Sequence, residues 1–358
     1  MKWDFRSSAS AASHPAIGAD GTIYFGTNQG VEAISPDGKE IWKLPFAGGG
    51  TPVIADDGSL YLESPRGLVY GVTSDGKLNW QPRLGLIGFS VPPALGEGTK
   101  LYYVNSAADL YAFEPKHSDR ASWSLETFRE GVVDNADPLP GSAAVGQRQR
   151  GALAITPAGT IILPRQNFLH AVSHDGRRQW DLDLTSHDLG PAALSNNGTI
   201  YVSDSSLLFA VDGSGTLKWR FEAGAFGSPV IDKNGVVYIA AANAVYAINP
   251  DGTVKWRYGS PRDPQFLTSP ALAEDGTIYV GAEFYLMALT ADGALKWSQR
   301  TYSPTSAPTI APDGTVYFAC GYSWLCAVQG DGAPLMSSSW PKQFHDLANT
   351  SRLSSFTN

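Results

Sequence analysis

The residues of this chain that could do chemistry are few and scattered. His187 stands beside Asp188, and a histidine next to a carboxylate can serve as a general base. Adjacent loop residues point apart as often as together, and no third catalytic partner accompanies this pair. His170 and His174 are the only histidines with a short paired spacing, and they belong to a strand and the turn after it, so no metal centre is predicted. The sequence therefore gives little indication of catalysis.

A larger set of charged, amide and aromatic residues has the types that bind partners. Arginine and aromatic side chains supply much of the free energy at protein interfaces. The set comprises Arg66, Arg165, Asn167, His187, Asp188, Arg262, Asp263, Glu283, Tyr285, Tyr322 and Trp324. Whether these residues share one surface depends on the elements that carry them.

Those elements are set by an internal repeat. The ten residues AISPDGKEIW, which begin at Ala33, recur as AINPDGTVKW from Ala247, and six further copies, two of them looser, bring the total to eight. A second motif, for example PALAEDGTIYVG, precedes each copy, and the period is about forty residues. A period of this length over nearly the whole chain indicates a repeat fold.

Each repeat is predicted to form four short β-strands. Runs such as Ile-Tyr-Val, bounded by Gly, Pro, Asn and Asp, are too short for helices and typical of strands. Asp-Gly and Asn-Gly between two runs favour tight hairpin turns, because these residues accept a positive φ. Eight such antiparallel repeats around an axis make an all-β, eight-bladed propeller. We expect a fourth-strand tryptophan at each blade-to-blade seam, namely Trp3, Trp42, Trp80, Trp123, Trp180, Trp219, Trp256 and Trp297.

The ring can close in two ways. MKWDFR, residues 1–6, resembles an isolated fourth strand, and the eighth repeat lacks a tryptophan in its own fourth position. The rival segment is APLMSSSW, which keeps the register through Met336 but contains Pro334 and three serines. We favour closure by residues 1–6, because pairing between the chain ends removes two exposed sheet edges.

The chain is expected to form one propeller over residues 1–339, followed by a tail, residues 340–358. Trp340 and Phe344 of the tail are expected to dock against the propeller, because exposed they would leave apolar surface in water. The segment from Phe128 to Arg150 is a long insertion between blades, and loops of that length are functional or disordered.

The topology of a four-strand meander gives the propeller two faces. The turns between strands one and two and between strands three and four carry the repeated Asp-Gly and Asn-Gly, and we call their side the turn face. The hairpins between strands two and three and the blade connections lie on the opposite side, the loop face, where the repeats diverge. Binding residues concentrate on variable loops of a rigid scaffold, so the set named above is predicted to form a binding surface there.

Composition and charge argue against several classes of function. The hydrophobic content of 43%, with 38 Gly and 24 Pro, suits many strands and turns. A net charge of −8 without charge blocks argues against nucleic acid, which needs a basic patch. No run approaches the length of a membrane helix, and no signal-peptide core precedes the first repeat. We expect a monomer, periplasmic or extracellular after loss of a targeting segment, with a cytoplasmic location left open.

The two cysteines bear on that location. Cys320 and Cys326 flank the hairpin between the second and third strands of the eighth blade. Either they are joined across the hairpin, which would indicate an oxidising compartment, or they are two buried free thiols. The sequence leaves both readings open.

With eight repeats of the form SPALAEDGTIYVG…LMALTADGALKW, the chain resembles the PQQ-like (quinoprotein-like) β-propeller family over nearly its whole length. The tail WPKQFHDLANTSR also resembles a segment found beside such propellers, of the form W-P-x-x-x-H-D-x-x-x-T-x-R. The family includes quinone-dependent dehydrogenases and non-enzymatic members such as the envelope lipoprotein that assists outer-membrane barrel assembly. The repeated residues are those that build blades, so the resemblance is specific for the fold.

The dehydrogenase branch implies a cofactor on the axis, held with calcium by a tryptophan floor and acidic and amide ligands, often with a disulfide between adjacent cysteines. None of this machinery can be transferred to a residue of this chain, and no C-x-x-C-H haem motif is present. The residues that lead into the axis are mostly small and neutral, namely His14, Gly50, Thr51, Ser90, Arg150, Gly190, Gly227, Ser269 and Ser306.

We therefore expect a non-enzymatic binding or assembly scaffold without a cofactor, whose loop face binds a protein, peptide or glycan. The alternative is a pyrroloquinoline-quinone (PQQ) dehydrogenase of alcohols or sugars with its cofactor and calcium on the axis.

Overall fold

Short runs of branched and aromatic residues, each ended by Gly, Asn or Asp, fold as strands along this chain. The computed structural model describes residues 1–10, 13–46, 49–63, 69–82, 91–104, 109–126, 151–186, 188–222, 224, 227–241, 243–259 and 268–353. These ranges contain 32 strands and no helix. Within them, accordingly, no helical segment has the length and hydropathy needed to span a membrane.

The strands form eight four-stranded antiparallel sheets, so the predicted eight-bladed, all-β propeller is confirmed. The innermost strands of neighbouring blades contact one another around the axis. From the axis outwards, blades one to four consist of β2 (Ala16–Ile17), β3 (Ile23–Thr27), β4 (Gly30–Ile34) and β5 (Glu40–Pro45); β6 (Val53–Ile54), β7 (Leu60–Glu63), β8 (Val69–Val72) and β9 (Leu78–Trp80); β10 (Ala94–Leu95), β11 (Leu101–Val104), β12 (Asp109–Phe113) and β13 (Ala121–Glu126); β14 (Ala154–Ile155), β15 (Ile161–Arg165), β16 (Phe168–Val172) and β17 (Arg178–Asp183).

Blades five to seven repeat the same order, and blade eight takes its outer strand from the start of the chain. The strands are β18 (Ala193–Leu194), β19 (Ile200–Ser203), β20 (Leu207–Val211) and β21 (Leu217–Glu222); β22 (Val230–Ile231), β23 (Val237–Ala241), β24 (Ala244–Ile248) and β25 (Val254–Gly259); β26 (Ala271–Leu272), β27 (Ile278–Ala282), β28 (Tyr285–Leu289) and β29 (Leu295–Arg300); β30 (Thr309–Ile310), β31 (Thr315–Cys320), β32 (Trp324–Gln329) and β1 (Trp3–Arg6).

Closure of the ring by the N-terminal strand is also confirmed. β1 pairs with β32, and Trp3 lies opposite Ala327 just as Trp42 lies opposite Ala33 in blade one. The rival segment takes a different place. Met336 packs between blades six and seven, where its N–H donates to the carbonyl oxygen of Leu272 at 2.8 Å.

Each fourth-strand tryptophan joins its own blade to the next. The ring of Trp42 packs on Tyr24 of its own blade, with centroids 5.8 Å apart, and lies against Gly76 in the following blade. Gly76 has a φ of 83°, and a Cβ there would come within 2.7 Å of the indole. The indole N–H donates to a main-chain oxygen in the next blade's outer turn, and the acceptors for Trp3, Trp42, Trp80, Trp123, Trp180, Trp219 and Trp256 are Pro36, Ser74, Ser118, His174, Gly213, Pro250 and Ala291.

After blade eight the chain enters the axis. The carbonyl oxygens of Trp340 and Pro341 accept hydrogen bonds from the N–H groups of Ile231 and Leu272, the last residues of two innermost strands. Residues 347–351 then step around the ring, and the carbonyl oxygens of Leu347, Ala348, Thr350 and Ser351 accept from Ile17, Ile54, Leu95 and Ile155 at 2.8 to 3.0 Å. We call residues 340–353 the axial segment. It has main-chain hydrogen bonds to the innermost strands of six blades.

Deleting residues 1–6 should open the ring. The deletion removes β1 and exposes the edge of β32, and we expect it to lower the free energy of unfolding by at least about 3 kcal/mol, the lower end of the cost of losing a packed tryptophan. Denaturant melts of the two chains measure the difference. Removal of Met1 alone, which leaves β1 intact, is the control, and equal stability of all three chains would rule out the closing role of β1.

Candidate functional site

Part of the predicted loop-face set lies outside the described residues. This applies to Arg66, His187, Arg262 and Asp263, to the insertion from Phe128 to Arg150, and to Ser90 and Arg150 among the residues that lead into the axis. The other predicted residues fall into two groups on different parts of the ring.

The first group belongs to blade four and the connection after it. The Nδ2 of Asn167 donates to the carboxylate of Asp183 in its own blade at 2.8 Å. Arg165 ends β15 and is half-buried, and Asp188 is exposed with a φ of 52°. The hydrogen bond to Asp183 ties Asn167 to the outer strand of its own blade. Blade four also lies half a turn of the ring away from the second group.

The second group lies at blades seven and eight. Glu283 is exposed at the blade-seven hairpin, and Tyr285 is half-buried against the core between blades six and seven. Tyr322 is 79% exposed at the tip of the blade-eight hairpin, and Trp324 follows it at the start of β32. The structure therefore brings four predicted residues, Glu283, Tyr285, Tyr322 and Trp324, to one sector of the loop face.

Trp324 is the centre of an aromatic cluster in this sector. One face of its indole stacks on Tyr302, with ring centroids 5.0 Å apart and an interplanar angle of 14°. The guanidinium of Arg6, from β1, lies 5.6 Å from the centroid of the same indole. Phe284 is 55% exposed and Tyr302 42% exposed. We call Phe284, Tyr302, Tyr322, Trp324 and Arg6 the aromatic cluster.

The framework beneath the aromatic cluster is fixed by the chain on both sides. A disulfide joins Cys320 to Cys326 across the hairpin that carries Tyr322. The connection from blade seven is held to the same hairpin, because Gly321 N–H donates to the Ser303 carbonyl at 2.7 Å and Thr305 N–H to that of Ala319 at 2.8 Å. Thr301 N–H also donates to the Phe284 carbonyl at 2.8 Å, which links the blade-seven hairpin to the same connection. The cluster is therefore a pre-formed surface.

Sequence reasoning missed three members of this cluster. Phe284 lies on the blade-seven hairpin and Tyr302 in the connection to blade eight, and nothing in the local sequence marks either residue as exposed. Arg6 belongs to a predicted structural strand, and its contact with Trp324 follows only from the register of β1 on β32. That register could have been read from the repeat, since Trp3 must align with the other fourth-strand tryptophans.

The axial position is filled by the chain itself. The ring of Phe344 packs edge-on against His14, with centroids 5.1 Å apart, and Ser269 Oγ donates to Gln343 Oε1 at 3.0 Å. Both tail residues are buried. Among the described residues, no group of three or more His, Cys, Asp or Glu side chains is placed to hold a metal ion. The described residues on the axis therefore do not fit a calcium-bound quinone.

One carboxylate on the loop-face side of blade two is unusual. Glu63 occupies the strand position that holds Gly26 in blade one, and its Oε2 is buried without a hydrogen-bond partner among the described residues. Burial raises the pKa of Glu63 to about 8, although main-chain hydrogen bonds at Glu63 and Thr51 favour the charged form. Comparing the eight repeats at this position would have revealed it, because the others carry Gly26, Val104, Pro164, Ser203, Ala240, Gly281 and Ala319.

The family model of outer membrane protein assembly factor BamB matches residues 3–159 and 165–349 of this chain. A comparison with curated proteins gives no match.

Solved structures with the same fold cover nearly the whole chain. BamB from Moraxella catarrhalis aligns over 91% of this chain and 98% of its own, with 14% identity and a TM-score of 0.65. Sqt1 from Saccharomyces cerevisiae aligns over 91% and 98%, with 8% identity and a TM-score of 0.71. Virginiamycin B lyase from Staphylococcus aureus aligns over 91% and 97%, with 11% identity and a TM-score of 0.54. At these identities the likeness concerns the fold alone.

The buried carboxyl of Glu63 predicts a pH dependence of stability. The pKa of Glu63 is about 8 in the folded chain, against an ordinary value of 4.5, so the folded state holds the proton more tightly than the unfolded state. The protonated carboxyl therefore contributes to stability at low pH, and this contribution is lost as the pH rises from about 4.5 through 8. Glu63→Gln should flatten this part of the pH profile and be the more stable chain above about pH 8. Denaturant melts across this range measure it, with Glu283→Gln as the control for loss of a surface carboxylate. A profile unchanged by Glu63→Gln would contradict the assignment.

Proposed function

The chain belongs to the outer membrane protein assembly factor BamB family, and from this premise we propose that it is a non-enzymatic binding or assembly scaffold whose loop face holds a protein partner. The aromatic cluster at blades seven and eight is the observation that carries the proposal. We also propose that no cofactor is held on the axis, and the axial segment that fills this position in the structure supports that part of the proposal.

The cluster has the chemistry of a protein-binding hot spot. Three large aromatic side chains are each at least 42% exposed within one sector, namely Phe284, Tyr302 and Tyr322. Exposed aromatic groups bury large apolar areas when a partner covers them, and tyrosine and tryptophan lose little conformational entropy on binding. Because Trp324 already contacts both Tyr302 and Arg6, little ordering would remain to oppose association.

Charge beside the cluster points to the kind of partner. Arg6 lies on Trp324, and Arg300 ends the strand that leads to Tyr302. Among the described residues, neither arginine forms a salt bridge with a carboxylate. The same sector also holds an exposed carboxylate, Glu283, which the two arginines outnumber. A partner segment that combines apolar or aromatic side chains with Asp or Glu would therefore complement this sector.

The disulfide supports a location in the cell envelope or outside the cell. Cys320 and Cys326 are both buried, and a structural disulfide persists in an oxidising compartment. We propose that the protein works there, as a monomer.

The partner test uses a photo-reactive residue at position 322 of the full chain, in the native host. We expect it to crosslink to one protein, because Tyr322 is the most exposed member of the cluster. The same probe at Leu78, which is 52% exposed on the outer strand of blade two, is the matched control. Equal yields at the two positions would contradict the proposal.

With the partner identified, binding can be measured directly. Tyr322→Ala and Trp324→Ala should each weaken the affinity about thirtyfold, the loss typical of a hot-spot residue. Leu78→Ala should leave the affinity unchanged. If neither cluster variant weakens binding, the partner docks elsewhere, and if the cluster retains glycans but no protein, the proposed partner class is wrong.

The location test is peptide mapping of protein purified from its natural compartment without reduction. We expect one linked peptide pair that contains Cys320 and Cys326. The bond should contribute about 2 to 3 kcal/mol to stability, since it closes a short loop. Two thiols that react with an alkylating reagent after unfolding would remove the argument for export.

A further inference from the structure

The axial segment is fastened to the ring mostly by its main chain. Its carbonyl oxygens accept the N–H groups of Ile17, Ile54, Leu95, Ile155, Ile231 and Leu272, all at the ends of innermost strands. Three of its polar side chains, Gln343, Asn349 and Arg352, also bond to the ring, whereas others bond within the segment. Asp346 accepts from the N–H of Thr350 at 2.9 Å, and His345 Nδ1 lies 3.2 Å from the same carboxylate. The segment therefore resembles a folded ligand seated in the channel.

The segment's conformation depends on the channel around it. Phe344, His345, Asn349 and Ser351 all have φ between 54° and 75°, the left-handed region that residues other than glycine rarely adopt. Four such residues within eight positions persist only where the surroundings impose them. Outside the channel the segment would relax to ordinary backbone, so docking and ordering of the segment are one event.

Basic groups are buried where the segment meets the ring. Lys342 is fully buried, and its Nζ donates to the carbonyl oxygens of Gln343 and Asp346 at 2.9 and 3.0 Å and to Asn349 Oδ1. His14 of blade one is buried against Phe344, with its Nδ1 3.5 Å from Thr51 Oγ1. The segment's carboxylate, on Asp346, already accepts from Thr350. The interface thus holds more basic groups than acidic ones.

We propose that the axial segment is a displaceable plug of the channel, and that its docking is coupled to proton release, so that acid favours its departure. The proposal is independent of what the aromatic cluster binds.

The direction in which pH affects docking follows from the pKa values of the two basic groups, Lys342 and His14. Burial lowers the pKa of Lys342 to about 7 from 10.5, although the charge of Asp346 acts in the opposite direction. Burial, with the charge of Lys342, lowers the pKa of His14 to about 3 from 6.5. The docked state therefore binds fewer protons than the released state between about pH 7 and pH 10.5, because of Lys342, and between about pH 3 and pH 6.5, because of His14. In both windows docking weakens as the pH falls.

The other titratable groups near the interface are Glu63, His345 and Asp346. The carboxylate of Glu63 accepts a hydrogen bond from the main chain of Thr51, which lies beside His14. Between pH 4.5 and about pH 8 its protonation favours docking as the pH falls, opposite to the effect of the two basic groups. Burial acts to raise the pKa of Asp346, but the hydrogen bonds from His345 and Thr350 act against it, and the pKa lies below its ordinary value. Glu63→Gln is therefore the right background in which to measure the linkage, because it removes the opposing contribution.

Hydrogen exchange on the full-length Glu63→Gln chain tests the proposal, because in the unaltered chain Glu63 opposes the effect of Lys342 over the same pH range. The amides of Ile17, Ile54, Leu95, Ile155, Ile231 and Leu272 should open together, and before the amides of β3 and β23 in the same ring. After correction for the intrinsic exchange rate, their opening constant should rise between about pH 8 and about pH 5, about tenfold from Lys342 alone. The amides of β3 and β23 supply the internal reference.

Two variants separate the contribution of the Lys342 charge from that of the left-handed backbone. Lys342→Met should remove that tenfold share of the pH dependence. Ser351→Gly relieves a left-handed φ of 54° without removing a charged group, so it should increase protection and keep the pH dependence. If Lys342→Met fails to fold, the pH dependence of the opening constant in the Glu63→Gln chain still tests whether docking is coupled to proton release. Six amides that open independently of one another, in step with β3 and β23, or without a pH dependence would overturn the proposal.

Discussion

The contact between a fourth-strand tryptophan and the glycine turn of the next blade is the interaction on which this fold depends. A four-stranded blade has two broad faces, and neither can stay in water, so each blade is stable only between two others. The indole provides the large apolar surface at the seam, and its N–H fixes the angle by reaching one carbonyl oxygen in the next turn. Ala33 and its equivalents lie directly opposite the tryptophans, where a larger side chain would compete with the ring for space.

At the last seam the acceptor is the carboxylate of Asp331, at 3.1 and 3.2 Å from Trp297 Nε1, in the turn from which the chain leaves blade eight for the axis.

A ring built in this way leaves a channel whose wall presents main-chain N–H groups. The last residue of an innermost strand turns its N–H towards the axis rather than into the sheet, and buried N–H groups require partners. The axial segment supplies carbonyl oxygens in register, with Leu347, Ala348, Thr350 and Ser351 serving blades one to four in sequence. The pattern W-P-x-x-x-H-D-x-x-x-T-x-R acquires a physical meaning here. Trp340 is buried, Asp346 and Thr350 bond to each other, and Arg352 donates to the carbonyl of Gly96.

The fold could be predicted from the sequence because its determinants are repeated. Eight repeats, most of them with Asp-Gly and tryptophan at a fixed spacing, specify the turns, the seams and the closing role of Trp3. The candidate site could be predicted only in part. Tyr322 and Trp324 follow from their place on a divergent hairpin, whereas Tyr302 joins them through stacking between separate loops that no periodicity encodes. The path of the tail was equally hidden, since Trp340 and Phe344 indicate that it docks but not that it enters the axis. Glu63 is a different case, because aligning the repeats exposes a carboxylate where the other blades have small or apolar residues.

Ring closure and the candidate binding surface depend on the same blade. Blade eight is the one sheet built from both ends of the chain, and it also carries the disulfide and Trp324. β1 contributes Trp3 to the seam with blade one and, three residues later, Arg6 to the face of Trp324. The loop connecting blades seven and eight supplies Tyr302, which stacks on the same indole. Trp324 therefore has both of these contacts only after the N-terminal strand has paired with β32. An open ring would lack the guanidinium, so the aromatic cluster is complete only in the closed propeller.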